Sequence, residues 1–291
     1  MSCIILDGKK VAQEIKNSIK ESIENKLNSH TNIRTPRLTI YTDGLDEASK
    51  IYLKNKKKAC EEVGIQCNIV TIDPNIPNFH IDYETDGAIL QLPVKNKEQE
   101  LSFLDRITTA MDVDGLTSVN QGNLFLGIDP KYEFYQTPCT PKGIMRLLDH
   151  YNIDLEGKNV LVIGRSKLVG KPIATLMLDR NATVTVAHSK TDPQDLSFKL
   201  SEADVVVSAV GIANFIHPDE LKKGCILIDV GISRDSFTGK ICGDVANPNN
   251  ELDVVCSYRT PVPGGVGPMT VAMLLENVYY AWEYHRYFDE N

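Results

Sequence analysis

The chain has 291 residues, of which 42% are hydrophobic and 24% charged, so a sizeable core is available and the length suggests about two domains. A formal net charge of −8 argues against general nucleic-acid or anionic-membrane binding. No stretch approaches the roughly 18 apolar residues of a membrane span, and Met1–Asp7 is too short in apolar character for a signal peptide, so a cytoplasmic protein is expected. The seven cysteines (Cys3, Cys60, Cys67, Cys139, Cys225, Cys242, Cys256) form no C-x-x-C pair, and the six histidines show no ligand spacing. Reduced, buried thiols and no metal site are expected.

Taken in order, Lys9 to Leu27 carries Val11, Ile15, Ile19, Ile23 and Leu27 at four-residue steps, an amphipathic helix. Arg37–Tyr41 reads as a strand. A helix runs from about Asp46 to Val63, with Gly64 as its stop. Gln66–Ile72 and Gly87–Pro93 read as strands. Thr140-Pro141 opens a helix, with proline in the first turn. Asn159–Gly164, Ala182–His188, Ala203–Val210, Cys225–Ile232 and Asp253–Ser257 read as strands of a parallel sheet covered on both faces. Pro261–Pro268 forms a loop, and a final helix spans roughly Met269 to Tyr287.

The pattern divides near residue 140. Residues 1–139 form a first α/β domain, with the terminal helix, 268–291, packing back on it. Residues 140–267 form a second, Rossmann-type domain.

The second domain carries the clearest chemical signal. The strand ending at Gly164 turns into Arg165-Ser166-Lys-Leu-Val-Gly170 and a segment able to start a helix. Such a junction presents open backbone N–H groups to an anion; it also fits an ordinary tight turn. The middle glycine of the usual G-x-G-x-x-G fingerprint is replaced by Ser166, and Arg165 adds a forked cation. An NAD site holds the ribose 2′-hydroxyl with an acid about 20 residues past the glycines. Here the second strand ends in Ser189-Lys190, with Asp192 the nearest acid. Serine, lysine and arginine favour a 2′-phosphate, hence NADP.

The helix ending at Val63 holds a second clue. At about 100° per residue, Ser49, Tyr52, Leu53, Lys56, Ala59, Cys60 and Val63 share one sector. Lys56 is the one lysine of the helix in that stripe, a turn from Tyr52. Two readings stay open: the side chain snorkels, or it is desolvated, which favours the neutral, proton-accepting amine. Tyr-x-x-x-Lys also marks short-chain dehydrogenases, but there the glycine loop precedes the tyrosine; here Tyr52 comes first.

Together, Ser49–Lys56, Gln91-Leu-Pro93, Asp112-Val-Asp114-Gly115, Pro138–Gly143, Gly164–Pro172, His188–Lys190 and Thr260–Thr270 resemble the bifunctional methylenetetrahydrofolate dehydrogenase/methenyltetrahydrofolate cyclohydrolase family, over nearly the whole chain and in the family's order. The resemblance implies an α/β protein with a catalytic domain, an NADP domain and a cleft between them. It implies two reactions: hydride transfer from methylenetetrahydrofolate to NADP+, then hydrolysis to formyltetrahydrofolate. It also implies a folate substrate and a homodimer. Lys56 resembles the catalytic lysine, Gln91 its partner, Tyr52 the residue positioning the pterin and Asp114 the carboxylate gripping it. Ser49, Leu90, Leu92, Pro263, Gly264, Gly267 and Thr270 resemble further folate contacts. Gly164, Arg165, Ser166, Ser189 and Ile232 resemble NADP contacts. Two features depart from the family: residues 71–85 look too short for a full helix, and Asn123 stands where an arginine is common. A shikimate dehydrogenase is the nearest enzyme alternative, but the glycine-rich G-x-G-G loop it would carry is missing, and Pro263–Thr270 argues against it. A non-catalytic dinucleotide sensor has no need of Lys56.

Overall fold

The computed structural model describes residues 3–30, 33–44, 47–129, 133–235 and 239–289, with side chains for all of these except 47–51 and 288–289. The chain begins with β1 (Ile4–Ile5) and α1 (Gly8–Ser29). Val11, Ile15, Ile19 and Ile23 of α1 are buried and Leu27 half-buried, as a four-residue apolar step requires. Next come β2 (Arg37–Thr42), α2 (Glu47–Val63) and β3 (Gln66–Thr71). Helix α2 stops at Gly64, whose φ of 85° lets the Ile65 N–H donate to the Cys60 carbonyl at 2.9 Å. Residues 72–86, all described, contain neither helix nor strand, in keeping with the short segment between β3 and β4 (Gly87–Leu90).

Two helices then form that the apolar pattern did not announce. In α3 (Lys97–Arg106), Asn96 caps the start by accepting from the Glu98 N–H. In α4 (Ser118–Phe125), Thr117 accepts from the Asn120 N–H. The chain continues with α5 (Cys139–His150), β5 (Asn159–Ile163), α6 (Gly170–Leu178), β6 (Thr183–Ala187), α7 (Pro193–Glu202), β7 (Val205–Ser208) and β8 (Ile226–Asp229). It ends with the ribbon strands β9 (Ser233–Arg234) and β10 (Ile241–Cys242), then α8 (Leu252–Val255), β11 (Tyr258–Arg259) and α9 (Val266–Asp289).

The chain forms two compact units. One comprises Gln13–Cys139 and Val271–Asn291. Its sheet has the order β3-β2-β4, all parallel, with Ile40 level with Ile69 and Ile89. Tyr41, Phe79 and Phe103 pack with ring centroids 5.1–6.1 Å apart on one face of this sheet. Part of α9 belongs to this unit, where Asn277 donates to the carbonyls of Val113 (2.9 Å) and Thr137 (3.1 Å).

The other unit comprises Met1–Ala12 and Thr140–Thr270. Its six-stranded sheet runs β1-β11-β8-β7-β5-β6, every pair parallel. Three expectations are corrected here. The first twelve residues group with this unit and not with the first domain, because β1 pairs with β11: the Ile4 N–H donates to Ser257 O at 2.9 Å and Leu6 N–H to Arg259 O at 2.8 Å. Asp253–Ser257 is not a strand. Leu252 is buried, Val254 is 76% exposed, and the Cys256 N–H closes a helical turn on Leu252 O. A short apolar run does not tell strand from helix by periodicity, and the true strand is the next dipeptide. Lastly, β6 is one of the two sheet edges and is largely exposed, so among the expected strands coverage on both faces holds for β5, β7 and β8.

Candidate active site

Helix α2 presents Lys56 as its residue pattern requires. Leu53, Lys56, Ala59, Cys60 and Val63 are buried, while Lys54, Lys57, Lys58, Glu61 and Glu62 are exposed. Lys56 retains 7% exposure, and among the described side chains of α2 it is the only buried lysine. A buried ammonium must find partners. Its Nζ donates to Gln91 Oε1 at 3.0 Å and stands 5.0 Å from the centroid of the Tyr52 ring. Gln91 follows directly on β4, and its Nε2 donates to the Leu92 carbonyl at 3.0 Å. That second bond orients the amide, so its oxygen faces the lysine.

Tyr52 lies one turn before Lys56. Its ring keeps 38% of the residue's surface in solvent, while burial around the hydroxyl, then the charge of Asp114, push the phenol up to about 12. It is therefore a neutral hydroxyl that can donate. The two acids of Asp112-Val-Asp114 differ sharply. Asp112 is buried and accepts from the Thr117 N–H and Asn120 Nδ2, both at 2.7 Å; it braces the turn into α4. Asp114 is half-buried, and the Cys139 thiol donates to its Oδ1 at 3.6 Å. Gly115 beside it has φ 67°, and a Cβ there would meet the Gln136 carbonyl oxygen at 2.7 Å. Leu90, Leu92, Asp114 and Leu116 line one cavity, with Leu90 buried in the core cluster. The side chain of Ser49 lies outside the described residues. Asn123, in α4, has a buried Nδ2 without a hydrogen-bond partner.

The second site is built at the strand ends of the unit containing Thr140–Thr270. Gly164 has φ 122°, and a Cβ there would meet Ala209 O at 2.5 Å; one on Gly170 would meet Gly164 O at 2.2 Å. Only glycine fits either place. Ser166 Oγ accepts from the Val169 N–H at 3.1 Å and the Gly170 N–H at 3.4 Å, which leaves its proton free to donate outward at the start of α6. Arg165, Ser166, Ser189 and Lys190 are exposed. Asp192 is spent on α7: its Oδ1 accepts from the Gln194 and Asp195 N–H groups at 2.9 and 3.3 Å. Ile232 is 62% exposed just past β8.

Pro263, Gly264, Gly267 and Thr270 belong to this unit. The Gly264 carbonyl accepts from the Lys9 N–H at 2.9 Å, and Thr270 Oγ1 pairs with Thr140 Oγ1 at 3.0 Å. A Cβ on Gly8 would meet Gly265 O at 1.9 Å. Gly8 and Thr140 therefore shape this loop; Gly8 does not stand out in the sequence, and Thr140 does so only as a helix start, because these contacts join positions far apart in the chain. Among the described residues, no group of three or more His, Cys, Asp or Glu side chains is placed to hold a metal ion.

The catalytic-domain model of tetrahydrofolate dehydrogenase/cyclohydrolase matches residues 6–114, and the NAD(P)-binding-domain model of the same enzymes matches residues 138–286. The bifunctional protein FolD of Mycoplasma capricolum is 42% identical over 291 residues, spanning 97% of this chain and 99% of that protein. The crystal structure of the bifunctional FolD methylenetetrahydrofolate dehydrogenase/cyclohydrolase from Campylobacter jejuni is 40% identical, with a TM-score of 0.86 over 98% of this chain and 100% of that one. The FolD structure from Trypanosoma brucei, complexed with NADP and an inhibitor, is 30% identical, with a TM-score of 0.87 over 98% and 99% of the two chains.

Proposed function

The chain belongs to the tetrahydrofolate dehydrogenase/cyclohydrolase family, and from that premise we propose which of its residues carry the two reactions. The protein oxidises methylenetetrahydrofolate to methenyltetrahydrofolate with NADP+ and hydrolyses the product to formyltetrahydrofolate. NADP+ supplies the acceptor for the hydride. The residues suit such a dinucleotide: the glycines at 164 and 170 leave room for nothing larger, and the nearest acid past the second strand, Asp192, is engaged as a helix cap. In our assignment the backbone of the Gly164 turn and the Ser166 hydroxyl hold phosphate. Arg165 and Ser189 hold the 2′-phosphate, and the backbone at Ile232 meets the nicotinamide half.

The observation that carries the division of labour is the buried Lys56 amino group bonded to Gln91. Hydride loss is driven by the lone pair of the folate's own nitrogen, so it asks for alignment and not for a base. Hydrolysis adds water to the methenyl carbon, opens one carbon–nitrogen bond and releases a proton. Lys56 is the group we assign to move protons around that water. Gln91 keeps the amine in place, Tyr52 positions the pterin, and Asp114 accepts from its amino and ring N–H groups. Ser49, Leu90, Leu92, Pro263, Gly264, Gly267 and Thr270 complete the folate contacts. A steady-state assay with methylenetetrahydrofolate and NADP+, following NADPH and the methenyl chromophore together, tests this reading; lack of turnover in either step overturns it for that step.

We further infer a cytoplasmic homodimer with no nucleic-acid or membrane partner. The net charge of −8 and the seven free cysteines support that reading, and no helix among the described residues is long and apolar enough to cross a membrane. The dimer rests on family resemblance, and light scattering of the purified protein tests it.

A further inference from the structure

Two buried carboxylates tie together the loops at the ends of β7 and β8. Asp229 closes β8, and Asp244 stands two residues past β10. Asp244 Oδ2 accepts from Ser208 Oγ at 3.0 Å and the Val210 N–H at 2.8 Å, and its Oδ1 accepts from the Ile212 N–H at 3.1 Å. Asp229 Oδ1 accepts from the N–H groups of Gly231 and Asp244, both at 3.0 Å, and Oδ2 from that of Val245 at 2.9 Å. The fit has no slack. A Cβ on Gly231 would meet Asp244 Oδ1 at 2.1 Å, and one on Gly243 would meet Asp229 Oδ2 at 2.0 Å.

Burying two acids side by side is a poor way to gain stability, since well-packed apolar residues of the same volume do as well or better. Burial pushes Asp229 up to about 6 against its N–H donors, and the Asp244 charge adds to the rise. What the pair does supply is position. Its donors include the backbone N–H groups of Val210, Ile212 and Gly231 in the loops after β7 and β8. Ala209, one residue earlier, is packed on Gly164 of the phosphate turn. Ile212 and Ile232 carry exposed side chains, 56% and 62%. The two loops are also joined directly, Ser233 Oγ donating to Gly211 O at 3.3 Å.

We propose that Asp244 and Asp229 are positioning residues for the dehydrogenase reaction: through these N–H groups they fix Ile212 and Ile232 as an apolar ledge for the nicotinamide ring, in register with the phosphate turn at Gly164. The proposal rests on the assignment of this unit to NADP. A ring that must deliver or accept a hydride tolerates little displacement, and a ledge on two loops needs a rigid brace.

The test is Asp244→Asn. An amide keeps one acceptor oxygen and turns an NH2 toward the remaining N–H donors, so one loop is released. The expected result is a rise of about 10- to 100-fold in KM for NADP+, with hydrolysis of added methenyltetrahydrofolate unchanged within twofold, because that step needs no dinucleotide. Ser208→Ala, which removes one donor and keeps the fold's packing, is expected to move KM in the same direction by less. Parallel loss of both activities, tracking the folded fraction in a thermal melt, would assign the pair a purely structural role and overturn the proposal, as would an unchanged KM in both variants. If the unsubstituted protein fails to oxidise methylenetetrahydrofolate with NADP+, the cofactor assignment falls instead.

Discussion

The Lys56 ammonium donates to Gln91 at 3.0 Å, and the same amide is fixed from its other end by the Leu92 carbonyl. Among the described residues the lysine is therefore held by a neutral acceptor and not by a counter-ion. A carboxylate in that place would favour the charged amine and work against its use as a base. Gln91→Glu is thus expected to move the pH–rate limb of hydrolysis to higher pH and to lower its rate at neutral pH. NADP+-dependent oxidation should change much less. Gln91→Ala should lower hydrolysis without that pH shift. The two pH profiles, measured with methenyltetrahydrofolate, check the relationship; coincident profiles for Gln91→Glu and the parent protein contradict it.

The cofactor preference has its own test. Arg165 is exposed next to the Gly164 turn, and Asp192 is committed to capping α7. Arg165→Ala is expected to weaken NADP+ far more than NAD+. A hydrogen bond to a charged group is worth roughly 1.5–3 kcal/mol, or about 10- to 100-fold. Equal losses in kcat/KM for the two cofactors would refute Arg165 as a 2′-phosphate contact.

A third expectation concerns stability. Asp86 is fully buried and accepts from Arg34 Nη1 (2.6 Å) and Nη2 (2.9 Å) and from the Arg37 N–H (2.8 Å), with His285 Nδ1 at 3.5 Å. Burial alone would raise its pKa. The hydrogen bonds from His285, Arg34 and Arg37 outweigh that and hold the carboxyl below the usual range. A depressed carboxylate contributes stability above its unfolded pKa, and that contribution is lost as pH falls through the folded value. Asp86→Asn is therefore expected to cost about 2 kcal/mol at pH 7, the scale of a broken buried charged pair discounted for the half-exposed Arg34. The gap between parent and variant should close below about pH 4. Urea melts at pH 7 and pH 3 measure it; a gap that widens toward pH 3 has the wrong sign.

How much of this was legible in the sequence depended on range. The stripes of α1 and α2 repeat within one helix, so burial of Ile15 and the inward sector of Lys56 follow from spacing, while the burial of the Lys56 side chain comes from the structure. Glycines 164 and 170 flank one turn and announce it. By contrast, the pairing of β1 with β11 joins residues more than 250 positions apart, and nothing local in Ile4-Ile5 marks it. Asp253–Ser257 misled because two adjacent valines fit a strand or one helical turn equally well; burial of Leu252 decided it. In the site, spacing brought out Lys56, but its bond to Gln91 spans 35 positions and came only through resemblance. Asp112 and Asp114 look alike in sequence. The resemblance singles out Asp114, and the structure adds the physical difference: Asp112 is buried and braces α4, while Asp114 is half-exposed.

The sharpest expectation separates the two activities at one side chain. Lys56 is buried against Gln91 and the Tyr52 ring, whereas Lys57, the next residue, is exposed. Oxidation of methylenetetrahydrofolate needs alignment, and hydrolysis needs a proton moved. Lys56→Met keeps the length of the side chain and most of its packing but removes the amine. It is expected to abolish hydrolysis, since loss of a general base costs about 10²–10⁴-fold, and to leave measurable NADP+-dependent oxidation, so that methenyltetrahydrofolate accumulates. Lys57→Met, on the solvent face of the same helix, should leave both rates near those of the parent. The methenyl chromophore followed over time in the presence of NADP+ reads both outcomes at once. Parent-rate hydrolysis by Lys56→Met, or damage from Lys57→Met instead, would mean that the helix face, and with it the base, has been wrongly assigned.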